Sequence, residues 1–148
     1  CYMNRVKPTG LMLSPTYHLY KPVWLIIGLS AAGKSTLANK LARRCNLILL
    51  DADKERKRWP KLGFSKIDRI RNLRKLASRA AAFPKHAVIV VAIAPQNASR
   101  KSFIDRLKPR PVNILFINTP LNVCQSRDPR GLYAKASTGV INELPGIN

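Results

Sequence analysis

The sequence predicts an α/β domain built on a central parallel sheet of four or five strands, with helices on both faces. Three observations carry that prediction. Short runs that are apolar on both faces recur along the chain, as buried parallel strands require. Helical stretches separate them, the alternation that a parallel sheet with crossover connections produces. A glycine-rich octet stands between the first apolar run and the first helical stretch.

The elements follow in order. Residues 1 to 22 carry Pro8, Pro15 and Pro22 without a clear period and read as a basic extension laid over the surface, leaving 23–148 as the folded domain. Val23 to Ile27 is the first buried strand. Ser35 to Arg44 is a helix, with Leu37 and Leu41 four apart on its inner side. Leu47 to Leu50 is a second strand ending at Asp51 and Asp53, and Pro60 and Gly63 punctuate the loop beyond it. Ile67 to Ala82 is a helix with Ile67, Ile70, Leu73, Leu76 and Ala80 on one side. Arg71, Lys75 and Arg79 make a basic stripe on another side of the same helix. Ala87 to Ala94 is the third strand, stopped by Pro95. A helix over Ala98 to Leu107 leads to a fourth strand, Val112 to Asn118. Leu121 to Arg127 is a short helix, followed by a loop through Asp128 and Gly131 and a tail with no strong period.

With 148 residues, one compact domain accounts for the length, and 46% apolar residues mark a globular chain. No apolar run approaches the ~18 residues that a membrane-spanning helix needs. The chain opens at Cys1 rather than a methionine, which suggests a processed or incomplete product. Its first 22 residues lack the apolar core of a secretory signal, and their basic character is shared with transit peptides. Cys1, Cys45 and Cys124 have no metal-ligand spacing. They read as reduced thiols of an intracellular protein, cytoplasmic or organellar, with Cys45 and Cys124 as core fillers. His18 and His86 stand apart from any nucleophile pattern.

The octet Gly28-Leu29-Ser30-Ala31-Ala32-Gly33-Lys34-Ser35 fits the pattern G-x-x-x-x-G-K-[ST], and each fixed position has a physical reason. Glycine lets the backbone approach a ligand closely and take positive φ, so that successive amides can converge on phosphate oxygens. The helix that follows turns its positive dipole end toward the same anion. Lys34 then reaches the β and γ phosphates of ATP, and the Ser35 hydroxyl helps to hold Mg²⁺. The fold class is therefore a P-loop NTPase-type three-layer sandwich. Asp51 and Asp53 lie at the carboxyl edge of the sheet, where open parallel sheets bind ligands. Their i, i+2 spacing points both carboxylates the same way if the chain stays extended. Phosphoryl transfer has work for two acids, one orienting the acceptor hydroxyl and one holding Mg²⁺.

At this point the chain resembles the adenylylsulfate kinases. The resemblance runs from about Val23 to Asn148 and rests on five segments: GLSAAGKST at 28–36, LDADKER at 50–56, LGFSKIDRIRNLRK at 62–75, TPLNVCQSRDPRGLYAKA at 119–136 and GVINELPGIN at 139–148. It implies transfer of the γ-phosphoryl of MgATP to the 3′-hydroxyl of adenosine 5′-phosphosulfate. It implies a catalytic set of Lys34, Asp51 and Asp53, with Asp51 nearer the acceptor hydroxyl, Ser35 and Asp53 at the metal, and the reverse order of the two acids open. ATP is expected on residues 28–36 with Arg127 near its base. Arg56, Phe64, Arg69, Asn72 and Lys135 are expected on the acceptor, Phe64 stacking on its adenine. Residues from Arg127 through Lys135 match a mobile lid that excludes water. A homodimer is a further expectation.

Several positions depart from the family pattern. Ala94 stands where Ser or Thr is usual, Leu144 where an aromatic faces the substrate adenine, Asn142 where the lid has a lysine, and Ala52 where the family has glycine. The stretch between the cradle and Asp51 is shorter than expected, and family members continue into a further strand and helix.

Charge motivates a rival reading. Lys and Arg number 27 against seven Asp and Glu, a net charge of +20, and no acid precedes Asp51. Between Lys54 and Arg79 there are eleven basic residues in 26 positions, of which the resemblance uses only Arg56 and Arg69. Such a surface attracts polyanions. The rival is a kinase-like fold acting as a basic, RNA-binding subunit of a ribonucleoprotein. Against it, four of the seven acids (Asp51, Asp53, Asp68 and Asp128) sit inside the kinase-like segments.

Overall fold

The computed structural model describes residues 19–60, 65–141 and 144–147. The elements run β1 (Val23–Gly28), α1 (Lys34–Cys45), β2 (Ile48–Asp51), α2 (Ala52–Arg56), α3 (Lys66–Ala81), β3 (Val88–Val91), α4 (Asn97–Leu107), β4 (Val112–Ile117), α5 (Leu121–Arg127) and α6 (Leu132–Ser137). Among the described residues the sheet has four strands in the order β2-β3-β1-β4, every pair parallel. The chain thus leaves β1 toward β2 on one side, returns through β3, and crosses to β4 on the other. That reversal places a crevice at the carboxyl ends of β1 and β3, the usual ligand position in open α/β sheets.

Alternation along β1 divides the core into two layers. Val23, Leu25 and Ile27 face the layer that contains Leu73, Leu76, Ala77 and Ala80 of α3 and Phe103 and Leu107 of α4. Ile26, Ile89 and Val91 face Ala38 and Leu41 of α1. A third cluster, with Ala32, Cys124, Tyr133 and Leu144, lies under the glycine-rich turn. Gly28 is required by close packing as well as by conformation. Its φ is 149°, and a Cβ there would stand 2.7 Å from the Ile117 carbonyl oxygen. Covering is incomplete at β4, where Ile114, Leu115 and Phe116 are exposed.

Arg110 is a basic residue spent on the interior. It is buried and donates to the carbonyls of Lys21 (2.7 Å), Ala80 (2.7 Å) and His86 (2.6 Å). One side chain thereby ties the entry to β1, the end of α3 and the turn before β3. Burial lowers its pKa from the ordinary arginine value.

The structure corrects the sequence reading in several places. β3 ends at Val91, not at residue 94, and Ala94 takes φ 40°. Ile67, in the first turn of α3, is exposed and does not join the inward side expected for it. Cys124 is buried as expected, but Cys45 is exposed in the last turn of α1 and fills no core. Two short helices, α2 and α6, replace segments read as loop and tail. Of the expected basic extension, residues 1–18 lie outside the described residues. No helix among those described is long and apolar enough to cross a membrane.

Candidate active site

The carboxyl ends of β1, β2 and β3 open onto one cavity of about 840 Å³. Its walls come from the glycine-rich turn and α1 (residues 31–37), the acidic turn (51–54), the end of β3 (91–93), and Arg127, Pro129 and Arg130. Ala31, Ala32, Gly33, Lys34, Ser35 and Thr36 of the predicted cradle line this space. Gly28 and Leu29 line a smaller cleft with Ala94 and Pro95, while Ser30 is buried beneath the turn. Positive φ at Ala31 (57°) and Gly33 (94°) bends the chain into the start of α1. The first turn of that helix leaves its amides without intrahelical partners and carries a partial positive charge, which suits an anion.

Lys34 is buried and donates its ammonium to the Leu29 carbonyl within the same turn. Burial holds it below the ordinary lysine pKa. The charges of Asp53 and Asp51 act to raise it again, and that of Arg130 lowers it further.

The two acids line one cavity but take different partners. Asp51 ends β2 and caps α2, its Oδ1 accepting from the Asp53 amide at 3.0 Å. The cap turns the chain into helix at once, so the extended geometry assumed from the spacing does not occur. Asp51 is buried, and its Oδ2 accepts from the Ser35 hydroxyl at 2.7 Å. Asp53 is half exposed and pairs with Arg130 at 2.7 Å. The structure therefore groups Ser35 with Asp51, not with Asp53. Ala52 is the first residue of α2, where alanine is the better helix former and glycine's freedom is not needed.

Arg130 was not singled out from sequence. It spans 77 residues to reach Asp53, and its second nitrogen lies 3.4 Å from the Ser30 hydroxyl. Nothing local in the sequence encodes that pairing. Its position two residues after Asp128, in a segment already matched to a lid, was the available signal. Asp128 in turn accepts from the amides of Leu132 (2.8 Å), Tyr133 (2.9 Å) and Ala134 (3.4 Å), which starts α6. Tyr133 then donates its buried hydroxyl to the Ser30 carbonyl at 3.0 Å. The segment after α5 is thus fastened onto the glycine-rich turn at two points. Burial pushes the Tyr133 phenol up to about 12.

Beside Asp53, Arg56 and Arg69 lie within electrostatic reach of each other and of Asp68. Burial lowers the Arg56 pKa, and Asp53 acts to raise it. Asn72 is buried in α3, and its Oδ1 has no hydrogen-bond partner among the described residues. Arg127 reaches the cavity wall, whereas Lys135 is exposed and lines none of it. Phe64 and Asn142 lie outside the described residues. Leu144 is buried with Ala32, Cys124 and Tyr133 and offers no open face to a ligand.

Ser35 and Asp51 are hard oxygen donors adjacent to a phosphate-sized space, a set that fits Mg²⁺. That ion is commonly held by one or two carboxylates together with phosphate oxygens and water. Among the described residues no three His, Cys, Asp or Glu come together, so a purely protein-built metal cage is not what the site offers.

Comparison with known proteins gives a consistent result. The family model described as adenylylsulphate kinase matches residues 21–148. The adenylyl-sulfate kinase of Paraburkholderia xenovorans is 40% identical over 134 residues, covering 85% of this chain and 74% of the relative. That of Deinococcus deserti is 42% identical over 134 residues, covering 85% and 72%. Among solved structures, the Mycobacterium tuberculosis APS kinase in complex with AMPPNP and APS superposes with a TM-score of 0.77. It is 34% identical and is matched over 87% of this chain and 80% of that one.

Proposed function

The chain belongs to the adenylylsulfate kinase family, and from that membership we propose that its cavity transfers the γ-phosphoryl group of ATP to the 3′-hydroxyl of adenosine 5′-phosphosulfate. The observation that carries the reading is the meeting of three parts in one cavity: the glycine-rich turn with Lys34, the Ser35–Asp51 pair, and the Asp53–Arg130 pair. The solved relative was studied with AMPPNP and APS, an ATP analogue and the proposed acceptor, which supports the same pairing of ligands here.

In this reading the triphosphate lies along residues 31–36. Lys34, freed from the Leu29 carbonyl, moves to the β and γ oxygens, a low-cost exchange for an ammonium already desolvated. Ser35 and Asp51 would hold Mg²⁺, which when bound would neutralise charge on the β and γ phosphates. Asp53 is the acid left facing the acceptor, so the geometry favours the second of the two orders considered from sequence. The 3′-oxygen attacks the γ phosphorus in line, the bond to the β–γ bridging oxygen breaks, its electron pair leaves with ADP, and the 3′-proton passes to Asp53. Arg130, paired with Asp53 on one side and lining the same cavity, supplies a cation beside the charge that spreads over the equatorial oxygens. Arg56, Arg69, Asn72 and Phe64 are proposed to hold the acceptor. Asn72 contributes a carbonyl oxygen whose buried, unmet valence an acceptor N–H or O–H can satisfy. Arg127 is proposed at the ATP base. Lys135 is exposed and lines no part of the cavity, so a role on the acceptor requires α6 to shift.

A coupled assay of ADP release tests the proposal. Release that depends on adenosine 5′-phosphosulfate and is lost in Lys34→Ala supports it. No acceptor dependence at saturating MgATP refutes it. The family findings support the kinase and lend no support to the ribonucleoprotein-subunit reading.

A further inference from the structure

We propose that the cleft between α3 and α4 binds a single nucleic-acid strand through its phosphodiester groups, at a site separate from the kinase cavity. The cleft has a volume of about 470 Å³ and is lined by Trp59, Arg74, Lys75, Ser78, Arg79 and Arg106. It shares no lining residue with the phosphate cavity. Helical spacing builds it: Arg74, Lys75, Ser78 and Arg79 fall on one side of α3, one turn apart. From α4, Arg106 reaches across and donates to the Ser78 hydroxyl at 3.2 Å. The Lys75 ammonium lies 5.0 Å from the centre of the Trp59 ring, which also lines the cleft.

Compensation separates this face from an ordinary solvated helix surface. Of the four cations only Arg79 meets a carboxylate, the buried Glu55 at 3.3 Å, which Arg58 also shares. Among the described residues no ion pair is formed by Arg74, Lys75 or Arg106. Clustered like charges repel one another and raise the local potential, so the cluster attracts an opposite charge. Neither phosphate transfer nor the proposed acceptor contacts use any of the four.

The size of the charge excess favours a strand over a small anion. A net charge of +20 on 148 residues far exceeds what one phosphate group neutralises. A phosphodiester chain places one negative charge per nucleotide, and a positively charged groove bordered by an aromatic side chain is how sequence-tolerant strand binding is built.

Fluorescence anisotropy with labelled U12 RNA at 50, 100 and 200 mM NaCl tests this. Three phosphate contacts, at the uncompensated Arg74, Lys75 and Arg106, predict a slope of log K against log salt of roughly −2.1. The double substitution Arg74→Gln/Arg106→Gln should flatten that slope by about 1.4 and weaken binding roughly 25-fold at 0.1 M salt. It should leave acceptor-dependent ADP release unchanged. Arg43→Gln/Arg44→Gln, an equal charge loss on the exposed end of α1, should change affinity less than threefold, by the same reasoning about local contact. Absence of U12 binding at 50 mM salt overturns the proposal. So does equal weakening by both double variants, tighter binding of a 12-base-pair duplex than of U12, or competition by tripolyphosphate equal to that of unlabelled U12 at the same phosphate concentration.

Discussion

Replacing Asp51 by asparagine and by alanine separates its structural work from its chemical work. Asp51 makes two contacts, accepting from the Asp53 amide as the cap of α2 and from the Ser35 hydroxyl. Asparagine is as good a cap as aspartate: its Oδ1 can keep the bond from the Asp53 amide, and its Nδ2 can donate to the Ser35 oxygen where Oδ2 had accepted, so Asp51→Asn should change stability by less than about 1 kcal/mol. Alanine loses both. The cap is worth about 1 kcal/mol, and the hydrogen bond to a partly buried charged group about 1.5 kcal/mol. Asp51→Ala should therefore unfold about 2.5 kcal/mol more easily, a Tm lower by roughly 5–10 °C for a domain of this size. Urea titrations followed by circular dichroism measure the difference. Activity should not divide them, because both variants remove the charge that the proposed Mg²⁺ requires, and each should lose on the order of 10²-fold or more in kcat. If the alanine variant melts like the parent, the capping account fails. If the asparagine variant keeps full kcat, the charge has no role in transfer.

Three other outcomes follow from the same structure. Tyr133 ionises near 10 in the unfolded chain and only at about 12 when folded, so the unfolded state loses its proton first as pH rises. Its contribution is fully present below pH 10 and is lost between pH 10 and 12, by an amount on the order of 2 kcal/mol. Urea midpoints for parent and Tyr133→Phe should converge across that window, and parallel curves would contradict the shift. Arg110→Met removes the donor shared by three carbonyls, and although that of Ala80 keeps the Phe83 amide at 3.1 Å, those of Lys21 and His86 lose this partner; a loss of roughly 2–3 kcal/mol is expected, with a change below 1 kcal/mol in thermal or urea unfolding counting against the clamp. Arg130→Ala should barely alter stability, by less than about 1 kcal/mol, because its pair with Asp53 is half exposed. It should nevertheless lower kcat at least tenfold with a smaller effect on the KM for ATP, and an unchanged kcat would remove Arg130 from the proposed transfer step.

Much of the fold was legible because period and chemistry agreed. β1 and β2 are short, apolar runs bounded by glycine or acid, and α1, α3 and α4 are long enough for their inward residues to repeat. What escaped was decided by single carboxylates. α2 and α6 have five and six residues, too few to show a period, and each starts where an aspartate accepts amides: Asp51 for one, Asp128 for the other. The same cap removes the extended backbone on which the expectation for Asp51 and Asp53 depended. The cradle could be read residue by residue because its function requires backbone shapes that only certain residues allow. Arg130 could not, since its partners Asp53 and Ser30 are brought to it by the sheet order and not by sequence distance. Leu144 looked like a lost stacking surface, yet it packs under the glycine-rich turn, where an apolar side chain is what the cluster needs.

Following the γ phosphate itself is the most direct test of the central claim. With γ-³²P-labelled ATP, Mg²⁺ and adenosine 5′-phosphosulfate, chromatography should recover the label on the acceptor nucleotide, and a 3′-specific nucleotidase should release it. Label recovered only as inorganic phosphate, or left on ATP while the folded protein still binds both nucleotides, would contradict the account.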